Sequence, residues 1–342
     1  MKGKQQIISG TIAAIGMFFL IIDTKTAIAG AEAGVQLCLR TVIPSLFPFF
    51  VLSNVLMGML SGGYFSRGFR WLGNFCGIPD GQESHLIVGL LGGYPVGAQN
   101  VAQAYRDGAL PRQAAQRLLG FCSNAGPSFI FGIGSVLIPP GYMVWLLWGV
   151  HILSAIFVGR MLPGRHSDGA KKALVPAPVT WVAGMHRALR SMAAVCGWVI
   201  LFRVILAFLD RWFLWLIPDG AAAALSGFLE LTNGCIQLNH IDNIGLRFCL
   251  CAAFLGFGGV CVAMQTVSVT KSLGAGMYFP GKTAQASLSF LIAYILQMLL
   301  FPADMRFQAG MLPVCILFGC GVIALFLMKS KKTSSNLRRV RV

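Results

Sequence analysis

The stretch SHLIVGLLGGYPVGAQNVAQA, residues 84–104, is long and apolar enough to enter a lipid bilayer, yet it cannot form one straight helix. About 20 mostly apolar residues span the hydrocarbon layer. Here Gly92, Gly93, Pro95 and Gly97 fall within six residues. Pro95 has no N–H and frees a carbonyl upstream, and the glycines weaken the helix further. An unpaired backbone group in hydrocarbon costs several kcal/mol, so the break must face protein or water. The segment predicts a broken helix inside a membrane bundle. Its loosened backbone at Gly93, Tyr94, Pro95 and Gly97, with Gln99 and Asn100 beside it, is a candidate substrate-binding element.

Outward from this segment the chain repeats the pattern of apolar runs. Spanning helices are expected at 5–22, 41–60, 116–138, 142–162, 190–216, 284–302 and 309–328. Residues 245–272 form a second apolar stretch rich in Gly, and 221–240 is mixed, with Glu230, Asn233 and Gln237 inside it. Of the 342 residues, 56% are hydrophobic and 11% charged, against about 25% charged in soluble domains. The 41 glycines suit close packing of membrane helices. The fold class expected is an all-α, polytopic transmembrane bundle with the lipid bilayer as its surroundings. Met1-Lys2-Gly3-Lys4 and the run Ile7 to Ile22 predict an uncleaved first helix. Ala27-Ile28-Ala29 resembles a signal-peptidase site, but Asp23 and Lys25 stand before it.

The net charge of +16 comes from 27 Lys and Arg against 11 Asp and Glu. The basic residues lie between apolar runs (Arg160, Arg165, Lys171, Lys172, Arg187, Arg190) and in the tail (Lys329, Lys331, Lys332, Arg338, Arg339, Arg341). That is the distribution of cytoplasmic flanks, not of a nucleic-acid surface. Trp145, Trp148, Trp212 and Trp215 suit a belt at the membrane interface, and His85, His151 and His240 suit the same zone. The ten Cys contain no CxxC pair, so neither a metal site nor a disulfide framework is expected. HExxH, GxSxG and GxxxxGK[ST] are absent, and no helix carries paired acids. We therefore expect no enzyme, no catalytic residue and no cofactor.

Three matches suggest an internal duplication. Leu39-Arg40-Thr41 pairs with Leu189-Arg190-Ser191, Leu91–Gln99 pairs with Phe257–Gln265, and Leu110-Pro111 with Ala115-Gln116 pairs with Phe279-Pro280 and Ala284-Gln285. The expected organisation is an N-terminal helix at 1–29, one repeat at 30–162, a cytoplasmic linker at 163–183, a second repeat at 184–328, and a basic tail at 329–342. Duplicated halves, here inverted, are a common plan for secondary transporters. Strict inversion puts the basic tail outside, whereas the charge rule puts it inside. An extra crossing at 221–240 reconciles the two.

Three further stretches carry candidate site residues. Asn124, Gly126, Pro127 and Ser128 break the apolar segment 116–138, and Asn124 has donors and an acceptor for a polar solute. Glu230, followed by Thr232 and Asn233, is a carboxylate within an apolar region, costly by about 3 kcal/mol on insertion scales, and a candidate for a coupling H⁺ or Na⁺. Gly258 and Gly259, with Gln265 and Ser268, form the counterpart of the first break. Each has a plainer reading as a packing or interfacial feature.

The pieces Gly93-Tyr94-Pro95-Val96-Gly97-Ala98, Asn124-Ala125-Gly126-Pro127-Ser128-Phe129-Ile130, Glu230-Leu231-Thr232-Asn233-Gly234 and Gly258-Gly259 to Gln265 resemble the sporulation integral membrane protein YlbJ family. That family falls in the nucleoside-recognition, or Gate, group, with the gate regions of concentrative nucleoside transporters and of FeoB iron transporters. The resemblance covers about residues 30–328. It implies a multi-pass protein of the bacterial inner membrane, with two Gate-type halves, that acts in spore formation and moves a small polar solute. A homo-oligomer is compatible with it. The FeoB likeness stops at the membrane part, since no GTPase motif is present. A scaffold for spore assembly that transports nothing is the competing reading.

Overall fold

The structure, a computed structural model, describes residues 2–60, 67–164 and 180–308. The predicted helix 309–328, the tail 329–342 and most of the linker 163–183 lie outside the described residues. Those described are helical throughout, without a strand. Five helical stretches are long and apolar enough to cross a membrane: Thr24–Leu56, Tyr142–Met161, Trp181–Trp212, Ile244–Thr270 and Tyr278–Leu300. The chain is an all-α, multi-pass membrane bundle.

Helix α1 (Lys2–Ile22) presents Ile7, Ile12, Ile15 and Ile21 outward, as a lipid-facing helix does. Asp23 ends it and caps α2 (Thr24–Leu37), accepting from the Thr26 N–H at 3.1 Å and the Thr26 hydroxyl at 2.7 Å. The Thr26 hydroxyl, then its N–H, and Arg211 at 3.1 Å hold the Asp23 carboxyl below the usual carboxylate range. A single π turn at Cys38–Val42 joins α2 to α3 (Ile43–Leu60). This run begins well before the predicted start at 41.

Opposite it lies α10 (Trp181–Trp212). Gly30 meets Ala207 and Val204, Gly34 meets Ile200 and Arg203, and Gly184 meets Val55. Numbers rise along one partner as they fall along the other, so the two run antiparallel. Glycines at the seam let the backbones approach closely, the usual device where lipid is as apolar as the side chains.

Inside this frame sit two helical hairpins. The first is α5 (Ser84–Gly92) and α6 (Val96–Arg106). Its arms touch at Gly89 and Gly97, and both glycines also abut the Cys122 carbonyl: a Cβ on either would lie 1.8 or 1.9 Å from that oxygen. The second hairpin is α11 (Asp219–Leu229) and α12 (Leu231–Gln237), whose arms touch at Gly227 and Gly234. Neither arm is long enough to cross a bilayer alone. The expected extra crossing at 221–240 is thus replaced by a segment that enters and turns back at Glu230.

Two other segments break without folding back. The predicted span 116–138 divides into α7 (Arg112–Leu118) and α8 (Pro127–Leu137), separated by the irregular stretch 119–126. The stretch 245–272 divides into α13 (Ile244–Phe257) and α14 (Gly259–Thr270), with Gly258 and Gly259 at φ of 84° and 81°. Long straight helices follow each: α9 (Tyr142–Met161) and α15 (Tyr278–Leu300). Helix α4 (Arg70–Cys76) covers one end of α9. The order long helix, hairpin, broken helix, long helix therefore occurs twice. Its register differs from the sequence pairing, because 91–99 turns back as a hairpin tip whereas 257–265 continues onward through a kink.

Arg117, on α7, is 3% exposed. It donates to the carbonyls of Cys76 at 2.6 Å, Gly77 at 3.0 Å and Pro163 at 3.1 Å, and to that of Gly159. These carbonyls close the C-terminal ends of α4 and α9, where a cation also meets the negative ends of the helix dipoles.

Two outcomes test this packing. Gly89→Ala and Gly97→Ala each push a methyl into the Cys122 carbonyl, costing about 1–3 kcal/mol or more; both lower the melting temperature in detergent, whereas Gly16→Ala, with nothing within 4 Å, does not. Arg117→Met strands several carbonyls and costs about 3 kcal/mol. Arg117→Lys, lacking the planar fork, restores less than half of the lost melting temperature.

Candidate functional site

Each hairpin tip rests on a broken helix. The first tip, Gly93-Tyr94-Pro95, lies against the 119–126 break: a Cβ on Gly93 would sit 3.1 Å from the Gly126 N, and one on Gly126 would sit 3.0 Å from the Gly93 Cα. Gly93 takes φ 76° there, open to glycine and strained for other residues. The second tip, around Glu230, lies against Gly258-Gly259, where a Cβ on Gly259 would reach the Leu231 N and the carbonyls of Gly227 and Leu229. Tyr94 joins the two pairs. Its ring covers Gly258, and its hydroxyl donates to the Leu255 carbonyl at 3.2 Å, one of the last carbonyls of α13 and so without a helical partner.

A cavity of about 40 Å³ opens between the tips, with room for roughly three waters. Tyr94, Gly126, Glu230, Thr232 and Gln265 line it, with Val42 and Leu46 from the π turn and α3, and Val195 and Val199 from α10. Glu230 is 2% exposed and accepts from the N–H groups of Thr232 at 3.0 Å and Asn233 at 2.7 Å. Behind it, Arg203 donates to the Asn233 Oδ1 at 2.6 Å. Gln265 turns its Nε2 towards the Cys261 Sγ at 3.5 Å.

Asn124 is fully buried just behind the first tip. Its Nδ2 donates to the Phe121 carbonyl at 2.8 Å, and its Oδ1 accepts from Gln285 Nε2 at 3.0 Å and from Lys282 Nζ at 3.3 Å. Lys282 also donates to the Gln285 Oε1, and its Nζ stands 5.1 Å from the centre of the Tyr94 ring. His151 Nε2 accepts from the Ala125 N–H at 3.1 Å. That bond fixes the tautomer with the ring proton on Nδ1.

The other predicted residues fall outside this group. Gln99 accepts from the Ser191 hydroxyl at 3.1 Å and ties α6 to α10. Gly97 serves the close approach to Cys122, and Pro95 and Pro127 begin α6 and α8. Ser268 donates to the Gln265 carbonyl of its own helix at 2.7 Å. Asn100 and Asn233 each keep a buried, unpartnered Nδ2. Ser128 is half-buried at the start of α8.

The expectation of interfacial histidines fails for His85 and His151, which are 6% and 1% exposed. Sequence reasoning also missed Lys282, Gln285 and Ser289. Lys282 stands two residues before the predicted helix 284–302 and was not singled out. The i, i+3, i+7 spacing of the three, which sets them on one face of α15, was the available signal.

No family model and no solved structure matches the chain. The sporulation integral membrane protein YlbJ of Bacillus subtilis (strain 168) is 26% identical over 316 residues, covering 75% of this chain and 74% of the relative. That match spans most of both proteins, and over that length the chain is similar to an integral membrane protein of sporulation.

Proposed function

We propose that the chain is a permease of the bacterial inner membrane that moves a small polar solute during spore formation. The observation that carries this reading is the convergence of two hairpin tips and two broken helices on one cavity, whose mostly apolar wall is interrupted by Tyr94, Glu230, Thr232 and Gln265. Irregular backbone inside a membrane bundle is tolerated where it lines a water-filled cavity or is buried in protein, and transporters place their sites at such breaks. Here the tips bring Glu230, Thr232, Gln265 and Tyr94 to one space. The recurring order of elements supports two duplicated, Gate-type halves that rock about this space.

Glu230 is the group we assign to a coupling ion, H⁺ or Na⁺. It faces the cavity while its second role, capping α12, holds it in place. A solute larger than a few waters requires the tips to part. Tyr94 and Phe129 are the aromatic residues at the cavity, and they come from different elements. Nothing in that lining singles out a nucleoside base.

The test is spore formation in a host whose own copy is replaced by variants. Glu230→Gln and Asn124→Ala are expected to reduce spore yield to that of the strain lacking the protein, at unchanged abundance in the membrane. Altered sequence in the linker 163–183 is expected to leave the yield intact. The reverse pattern, with tolerant site residues and a sensitive linker, identifies a scaffold instead.

A further inference from the structure

Lys282 has no place in the cavity lining, yet among the described residues it is the most deeply enclosed cation, at 0% exposure. Among the described residues no carboxylate lies within 4 Å of it. The side chains around it are neutral acceptors and a ring: Asn124 Oδ1, Gln285 Oε1 and the face of Tyr94.

The orientation of that cage is fixed from outside. Asn124 turns its Nδ2 to the Phe121 carbonyl, so its oxygen must point inward. Gln285 turns its Nε2 to Asn124 Oδ1 and, at 3.5 Å, to the His151 carbonyl, so its oxygen also points at Lys282. Three acceptors, two amide oxygens and a π face, then meet the three donors of an ammonium. The cage is built to receive a charge, but the counter-charge that would hold it there permanently is missing. A buried ion without a partner is costly, and a cage of neutral dipoles offsets only part of that cost.

The titratable groups facing Lys282 are Tyr94 from the first tip, Cys122 from the 119–126 break and His151 from α9, with Tyr278 of its own helix beside Tyr94. His151 Nδ1 and Ser123 Oγ, the latter next to Asn124 in the chain, are buried without partners, the condition under which internal water is found. Along α15, Gln285 and Ser289 continue the polar face. Ser289 donates to Ser154 at 2.8 Å, and Ser154 donates to the His151 carbonyl at 2.9 Å.

We propose that Lys282 is a proton-carrying site, and that Tyr94 links its charge to the occupancy of the cavity. The amine lone pair takes a proton from water along the α15 polar face to become the ammonium, and returns it when the cage opens. Tyr94 turns one part of its surface to the cavity and its ring to the Nζ. A solute that displaces the ring removes one of the three groups stabilising the ammonium, and by linkage the proton alters solute binding equally. The link to the cavity rests on the permease reading above; the proton site does not.

Full-length protein with ¹³C in its ten lysine side chains, in detergent micelles, is titrated from about pH 5 to about pH 10, near the ordinary lysine value. The Lys282 Cε resonance is the one missing from Lys282→Arg or, should that variant not fold, from Lys282→Met. We expect it to move reversibly within this range, apart from the other nine. A Lys282 resonance that keeps one charge state from end to end overturns the proton site and makes Lys282 a strut. Tyr94→Leu is expected to displace the midpoint, and Tyr94→Phe, which keeps the ring, to leave it in place. Identical midpoints in all three proteins overturn the link to the cavity. No solute is needed, so failure here is separate from failure of the spore assay.

Discussion

Every break in these helices releases backbone N–H and C=O groups, and in a membrane bundle protein must satisfy them. That constraint organises the interior. The Leu255 carbonyl left at the end of α13 is taken by the Tyr94 hydroxyl from another hairpin. The Ala125 N–H, stranded in the 119–126 break, is taken by His151 from α9. The first amides of α12 are taken by the Glu230 carboxylate, and the carbonyls ending α4 and α9 by Arg117. Each repair except the Glu230 cap crosses from one element to another. The polar side chains at the centre thus have a structural reason to be there before any solute is considered. What distinguishes the site is the capacity left over: the cavity face of Glu230, the exposed side of the Tyr94 ring, and the Gln265 amide.

The same contacts rank the elements by how readily they move. The antiparallel seam of α2 and α3 with α10 is continuous, set by glycine-mediated backbone approach along several turns. The arms of each hairpin are locked to each other at paired glycines. The tips, by contrast, rest on their broken helices through small flat contacts at glycines, and the first tip adds the Tyr94 hydrogen bond to the Leu255 carbonyl, about 1 kcal/mol. Separation is cheapest where a tip meets a break. A rigid frame around two hairpins that part from their seats is the motion this distribution of contacts favours.

The spans, the broken segments and several residues of the cavity were legible in the sequence, because apolar length and Gly-Pro punctuation report directly on the bilayer. What Gly-rich breaks do was not legible. Gly92-Gly93 and Gly258-Gly259 look alike, yet one opens a hairpin and the other a kink. The difference lies one turn away on each side. Gly89 and Gly97, like Gly227 and Gly234, clear the facing sides of two arms so that they close on each other. Beside Gly258 the equivalent Gly256 is spent against Ala286 of α15, and α14 has no glycine beyond Gly259 to clear a facing arm. The two double glycines therefore align in sequence but occupy different places in the recurring order of elements. Lys282 escaped notice for a related reason: it stands at the edge of an apolar run, and only its spacing to Gln285 and Ser289 marks the polar face. The fold brings Asn124 of the 119–126 break against it, a tertiary contact that this spacing does not specify.

The order of elements recurs, but the chemistry at the two tips does not. The first tip carries an aromatic ring and is backed by Asn124, Lys282, Gln285 and His151. The second carries a carboxylate and is backed by Arg203 and glycine backbone. Two tips of identical chemistry would respond equally to whatever occupied the cavity, and nothing would order their opening. With an amine enclosed behind one tip and a carboxyl at the other, the two ends of the cavity present groups of opposite chemistry to whatever enters it. If the chain is the permease proposed above, that asymmetry is what lets the two tips open in turn and not together.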